Sequence, residues 1–88
     1  MRSLLLGIVL ATSSTLAFAG PQCTTASKDT WLSQAVMKAK VSALGYKYKV
    51  FKVTDGNCYE IYGQNKTGQR VEVYFHPVTG EIHTEHKS

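Results

Sequence analysis

The 88-residue chain predicts an α+β fold, with one N-terminal helix packed on a four-stranded antiparallel β-meander. Three observations carry that expectation. Residues 58–82, CYEIYGQNKTGQRVEVYFHPVTGEI, alternate apolar and polar residues, break at 65–68, alternate again and break at 77–80. That is the pattern of antiparallel strands with one oily and one wet face. Upstream, Met37, Val41 and Leu44 recur at i, i+4 and i+7, one stripe of a helix. Turn-forming residues stand at the breaks: Asp55-Gly56-Asn57, Lys66-Thr67-Gly68 and Pro77-Val78-Thr79-Gly80.

The chain opens with a processing pattern. Arg2 supplies a positive start, residues 4–10 are apolar, and Ala17-Phe18-Ala19 is an A-x-A cleavage site. Residues 1–19 are therefore expected to be a signal peptide, leaving Gly20 as the first residue. The apolar run is too short to span a bilayer and is interrupted by Thr12, Ser13, Ser14 and Thr15. Cys23 follows Gly20-Pro21-Gln22 and so lacks a lipobox. A periplasmic or secreted protein without a stable membrane anchor is expected, as a monomer.

Cys23 and Cys58 are the two cysteines. In an oxidising compartment an even pair in so small a domain most simply forms one disulfide. Its long loop gives roughly 4 kcal/mol in the entropic picture, against the ~3–5 kcal/mol that a core of this size supplies. The alternative, a reactive or metal-binding cysteine, has no CxxC spacing behind it. The formal net charge is +4, one of which leaves with Arg2. The lysines are scattered, so no nucleic-acid footprint is present.

Residues 20–30 are polar and read as an irregular lead-in pinned at Cys23. Trp31 and Leu32 begin the core. Ser33 has the place of an N-cap, with Leu32 and Met37 at staple spacing, and the helix is expected over about residues 34–44. Lys38, Lys40 and Ser42 then face water, and Gly45 stands at the C′ position. The first strand, 46–54, alternates through Tyr46, Tyr48 and Val50. It then changes phase at Phe51 and Val53, which predicts a bulge near Lys49–Val50.

A three-residue turn with Asn57 left-handed sets Val53 opposite Tyr59 and Phe51 opposite Ile61; a two-residue Asp-Gly type I′ turn shifts this by one, and matching of the oily faces favours the first. The second strand runs from 58 to 64 or 65, the third from 69 to 76. A turn closed by left-handed Gly68 pairs Ile61 with Val73, Tyr59 with Phe75 and Gly63 with Val71 on the oily face. Glu60–Tyr74, Tyr62–Glu72 and Gln64–Arg70 fall on the wet face. A short fourth strand, 81–84, places Ile82 against Phe75 and His83 against Tyr74, and residues 85–88 are expected to fray. Cys58 lies on the wet face, so a lead-in bonded to it must pass around a sheet edge or along that face.

The residues Trp31-Leu32-Ser33, Gly45-Tyr46, Phe51-Lys52-Val53, Cys58-Tyr59-Glu60-Ile61, Gly68-x-x-Val71-Glu72-Val73-Tyr74 and Pro77-x-Thr79-Gly80-Glu81-Ile82, in this order, resemble small exported PepSY-like proteins. That superfamily is named for peptidase propeptides and a sporulation-related domain. The resemblance spans residues 31–84. It implies a helix-plus-sheet module of the bacterial envelope whose relatives inhibit metallopeptidases or assist their folding. For this chain it implies a non-enzymatic module that binds and restrains another protein such as a peptidase. Where the family often has an acid before the Pro-x-Thr-Gly turn, this chain has His76, which puts any role of that acid in doubt.

Candidate chemistry is sparse. His83 and His86, with Glu85, are the weaker alternative of a zinc or copper site, because imidazole suits both metals. Their spacing needs a helical turn, whereas this segment reads as strand. Glu60 and Glu72 are the only paired carboxylates of note, and each faces a tyrosine, so no catalytic residue and no cofactor is expected. A protein-binding face is the better candidate: Glu60, Tyr62, Arg70, Glu72 and Tyr74 together, since tyrosine and arginine give contact area with a polar handle. An ordinary polar sheet face has the same composition.

Overall fold

The computed structural model describes residues 20–88; the expected leader, residues 1–19, lies outside the described residues. Helix α1 (Gln34–Ala43) is followed by β1 (Lys47–Val53), β2 (Tyr59–Gln64), β3 (Arg70–Phe75) and β4 (Ile82–Lys87). The strands form an antiparallel sheet in the order β1-β2-β3-β4, and the helix covers its inner face. A 3-10 turn, Lys28–Thr30, interrupts the otherwise irregular lead-in.

Local chemistry sets the helix. Ser33 Oγ accepts from the Val36 amide at 3.1 Å, satisfying one free donor of the first turn. Met37 and Val41 are fully buried. Leu44 departs from the expected stripe: it caps the helix and is 48% exposed. Gly45, at φ 91°, turns the chain directly toward β1. Tyr46 enters the core instead, edge-on to Phe75 at 6.1 Å, with its hydroxyl donating to Glu85 Oε2 at 3.0 Å. Burial, then Glu85, pushes that phenol up to about 12. Lys38 does not simply face water, because its ammonium lies 5.1 Å from the centre of the Phe51 ring.

The first three strands have the expected register. Phe51 pairs with Ile61 and Val53 with Tyr59, and the register shifts between Tyr48 and Val50, the expected bulge. Asn57 is left-handed at φ 62° and Gly68 at φ 84°. All six pairs between β2 and β3 stand as read from the sequence. The inner face therefore collects Tyr59, Ile61, Val71, Val73 and Phe75 beneath Met37 and Val41.

The fourth strand corrects the expectation. It continues to Lys87, so residues 85–87 pair with β3 rather than fray, and the Ser88 amide donates to the Arg70 carbonyl at 3.1 Å. Ile82 does pair with Phe75, but Thr84 rather than His83 opposes Tyr74, because the register shifts there. The physical reason is the demand of β3. Its outward row of amides and carbonyls belongs to a largely buried strand and must be paired, whatever the polarity of the residues that pair it.

Cys23 and Cys58 are joined in a disulfide. The lead-in starts on the outer face, where Gly20 lies against the Tyr74 ring. It then rounds the end of the sheet at the β1–β2 turn, where Cys23 N donates to Gly56 O at 2.9 Å and Asn57 Nδ2 to the Thr24 carbonyl at 3.4 Å. It arrives on the inner face with Trp31 edge-on to Tyr59 at 5.5 Å. A Cβ on Gly56 would stand 2.1 Å from the Pro21 carbonyl oxygen, so only glycine admits this crossing. Rounding the end of the strands, rather than a side edge, is what lets one short segment touch both faces.

Candidate functional site

The outer face is not uniformly wet. Glu60 is 2% exposed and Tyr74 6%, whereas Tyr62 is 42% exposed and Arg70 is open to solvent. The lead-in occupies the end nearer the β1–β2 turn and leaves the other end uncovered. The five residues Glu60, Tyr62, Arg70, Glu72 and Tyr74 thus share one face, but they divide into a covered half and an open half.

In the covered half, Tyr74 donates to Glu72 Oε2 at 3.2 Å. Glu60 and Glu72 sit diagonally on neighbouring strands, since Glu60 opposes Tyr74 and Tyr62 opposes Glu72. Burial, then the neighbouring Glu72, raises the Glu60 carboxyl above its ordinary range. Glu72 moves the other way, lowered first by Glu60 acting as the acid of the pair and then helped by the Tyr62 and Tyr74 phenols. The two carboxyls thus move in opposite directions because each acts on the other, and Glu60, the more buried, is the harder of the two to ionise. Lys52 Nζ lies 3.8 Å from Glu60 Oε1, an ion pair half open to water, and Glu60 Oε2 has no hydrogen-bond partner. The carboxylates and Lys52 also act on Tyr62, whose phenol is pushed up chiefly by Glu72 and whose ring lies 5.3 Å from the Lys52 ammonium.

In the open half, a groove of about 430 Å³ lies where the register of β1 against β2 shifts at the bulge. Lys47, Lys49 and Arg70 line it beside Tyr62 and the half-exposed Val50, with no acidic residue among the lining side chains. Gly63 permits the close passage of β1, because a Cβ there would stand 2.0 Å from the Lys47 carbonyl oxygen. The sequence pattern singles out Tyr62 and Arg70 but not Lys47, Lys49 and Val50 as members of the same surface. The signal for these three lies in the phase change that predicts the bulge.

The histidines do not converge. His83 Nδ1 is 2.8 Å from Thr84 Oγ1, while His86 opposes Glu72 and meets the Tyr74 ring edge-on at 6.3 Å. Among the described residues no group of three His, Cys, Asp or Glu side chains is placed to hold a metal ion. His76 caps the turn that follows it, with Nδ1 accepting from the Val78 amide at 3.2 Å and the Thr79 amide at 3.4 Å. A carboxylate at this position would accept the same amides, as in an Asx-turn.

A family model described as the peptidase propeptide and YPEB domain matches residues 3–86. No curated protein and no solved structure matches the chain. The match extends over nearly the whole chain, and the helix on a four-stranded meander is the fold that the resemblance implied. The chain belongs to the PepSY family of peptidase propeptide and YPEB domains.

Proposed function

We propose that this protein is exported, loses its leader after Ala19, and acts without catalysis as a periplasmic or secreted module that binds and restrains another protein. The family supports a propeptide-like or regulatory role and makes a peptidase the first partner class to test. The observation that carries the reading is the open groove: its lining holds three cations with an exposed tyrosine and an exposed valine, and the acid that meets the tyrosine, Glu72, stands outside it. Such a surface complements a partner segment that carries acidic groups beside an apolar side chain. Glu60 and Tyr74 hold the covered half together, while Tyr62, Arg70, Lys47 and Lys49 form the contact.

A photo-crosslinking residue in place of Tyr62, compared with one in place of Asp55 at the opposite end of the sheet, tests this in the periplasm. The Tyr62 position is expected to trap a protein that the Asp55 position does not. If that protein is a peptidase, added purified module slows it. The double variant Tyr62→Ala/Arg70→Ala binds about tenfold or more weakly, as for two interface anchors. Equal binding by the double variant would remove the groove from the reading.

A further inference from the structure

We propose that the Glu60–Glu72 pair is a binding site for a primary ammonium group, and that its ligand is the α-amino group freed on Gly20 by cleavage after Ala19. This rests on the leader-removal reading above. One oxygen of the site lacks a donor: Glu60 is almost completely buried and its Oε2 is unpartnered. A buried carboxylate oxygen left in this state is unfavourable, and natural folds pair such atoms. Lys52 is close to the other oxygen only, at 3.8 Å.

Gly20 is held at this place. The position of a Cβ on Gly20 lies 2.9 Å from Tyr74 Oη, the hydroxyl that donates to Glu72. Any side chain would collide with the Tyr74 ring, and φ at Gly20 is 101°, so the approach belongs to glycine. The α-nitrogen is bonded to the same Cα and so starts beside the hydroxyl that meets Glu72, from where, in this proposal, it turns onto the carboxylate pair. Three residues later Cys23 is fixed to Cys58 and its amide to Gly56, so the amine is tethered with a short reach and a high effective concentration. Before cleavage this nitrogen is an uncharged amide with one N–H. After cleavage it carries three donors and a positive charge.

The groups facing the pair come from every strand: Lys52 of β1, Tyr62 of β2, Tyr74 of β3 and His86 of β4. Among them Lys52 meets Glu60 at Oε1 from the half-exposed side, whereas Gly20 lies over Tyr74. Removal of the leader then does more than release the protein. It supplies the counter-ion that completes the outer face, so that the fold reaches full stability only after processing.

The test uses two refolded, oxidised chains covering residues 20–88, one with a free amine at Gly20 and one Nα-acetylated, each with and without Glu60→Gln. Acetylation is expected to lower Tm by several degrees at pH 7, and Glu60→Gln to lower Tm of the free-amine chain while raising that of the acetylated one. The free amine is expected to titrate above about 8.5, against an ordinary value of ~7.7–8.0. Its stabilisation is complete below the ordinary value and fades as pH rises through the raised one. In the acetylated chain stability falls earlier, once pH climbs out of the ordinary carboxylate range, because the buried Glu60 must ionise without a partner. Equal Tm for both chains, or an amine at its ordinary value, overturns the proposal. Mass analysis of the exported protein checks the processing reading separately: a first residue other than Gly20 overturns the assignment of the ligand even if the free-amine chain behaves as expected.

Discussion

At the scale of the residue, the most informative position is His76. It stands where the resemblance leads one to expect an acid, and its Nδ1 receives two backbone amides of the Pro77–Gly80 turn. An aspartate here could accept from the same two amides, so the capping of this turn does not require a histidine. His76→Asn, which places an acceptor oxygen at a similar distance from the backbone, is expected to leave stability nearly unchanged. His76→Ala is expected to cost about 0.5–1 kcal/mol, the net worth of partly solvated hydrogen bonds. Urea unfolding of the two variants at pH 7 separates them, and equal midpoints would remove the capping role.

At the scale of the element, β4 shows how a polar tail becomes a strand. Glu85, His86 and Lys87 carry no alternating apolar signal, yet each opposes a residue of β3. Glu85 also accepts the Tyr46 hydroxyl, so the tail ties the end of the helix segment to the far edge of the sheet. Deleting residues 85–88 is expected to destabilise the protein by about 2–3 kcal/mol. Each lost cross-strand pair contributes a few tenths to 1 kcal/mol, and the buried phenol loses its acceptor. Hydrogen exchange on β3 amides is the matching measurement: protection at residues 71–73 that survives the deletion would show that the tail is dispensable.

At the scale of the whole molecule, the disulfide converts a loose lead-in into a cover for both faces of the sheet. It closes a sequence separation of 35 residues and fixes the segment that carries Gly20 to one face and Trp31 to the other. Cys23→Ser/Cys58→Ser is expected to lose about 4 kcal/mol, the chain-entropy value for such a loop. It is also expected to expose Tyr74 and Glu60 while the groove at Tyr62 stays as it is. Denaturant unfolding with near-ultraviolet tyrosine spectra reads both effects. An unchanged tyrosine environment with full loss of stability would place the cover elsewhere.

The inner face is legible in the residue pattern alone. Alternation in Tyr59, Ile61, Val71, Val73 and Phe75 chooses among the loop lengths that the turn residues admit, because one register puts all five on the same buried face. The sequence also supplied the cap, the bulge and the pairing of the two cysteines, because each depends on residue type and number. The outer face and the tail, by contrast, take their form only from long-range packing. Whether Glu60 and Tyr74 are wet or covered depends on where a segment far away in sequence passes, and no local pattern encodes that path. Likewise the pairing of residues 85–87 follows from the unsatisfied edge of β3, a need that arises only once the other strands are in place.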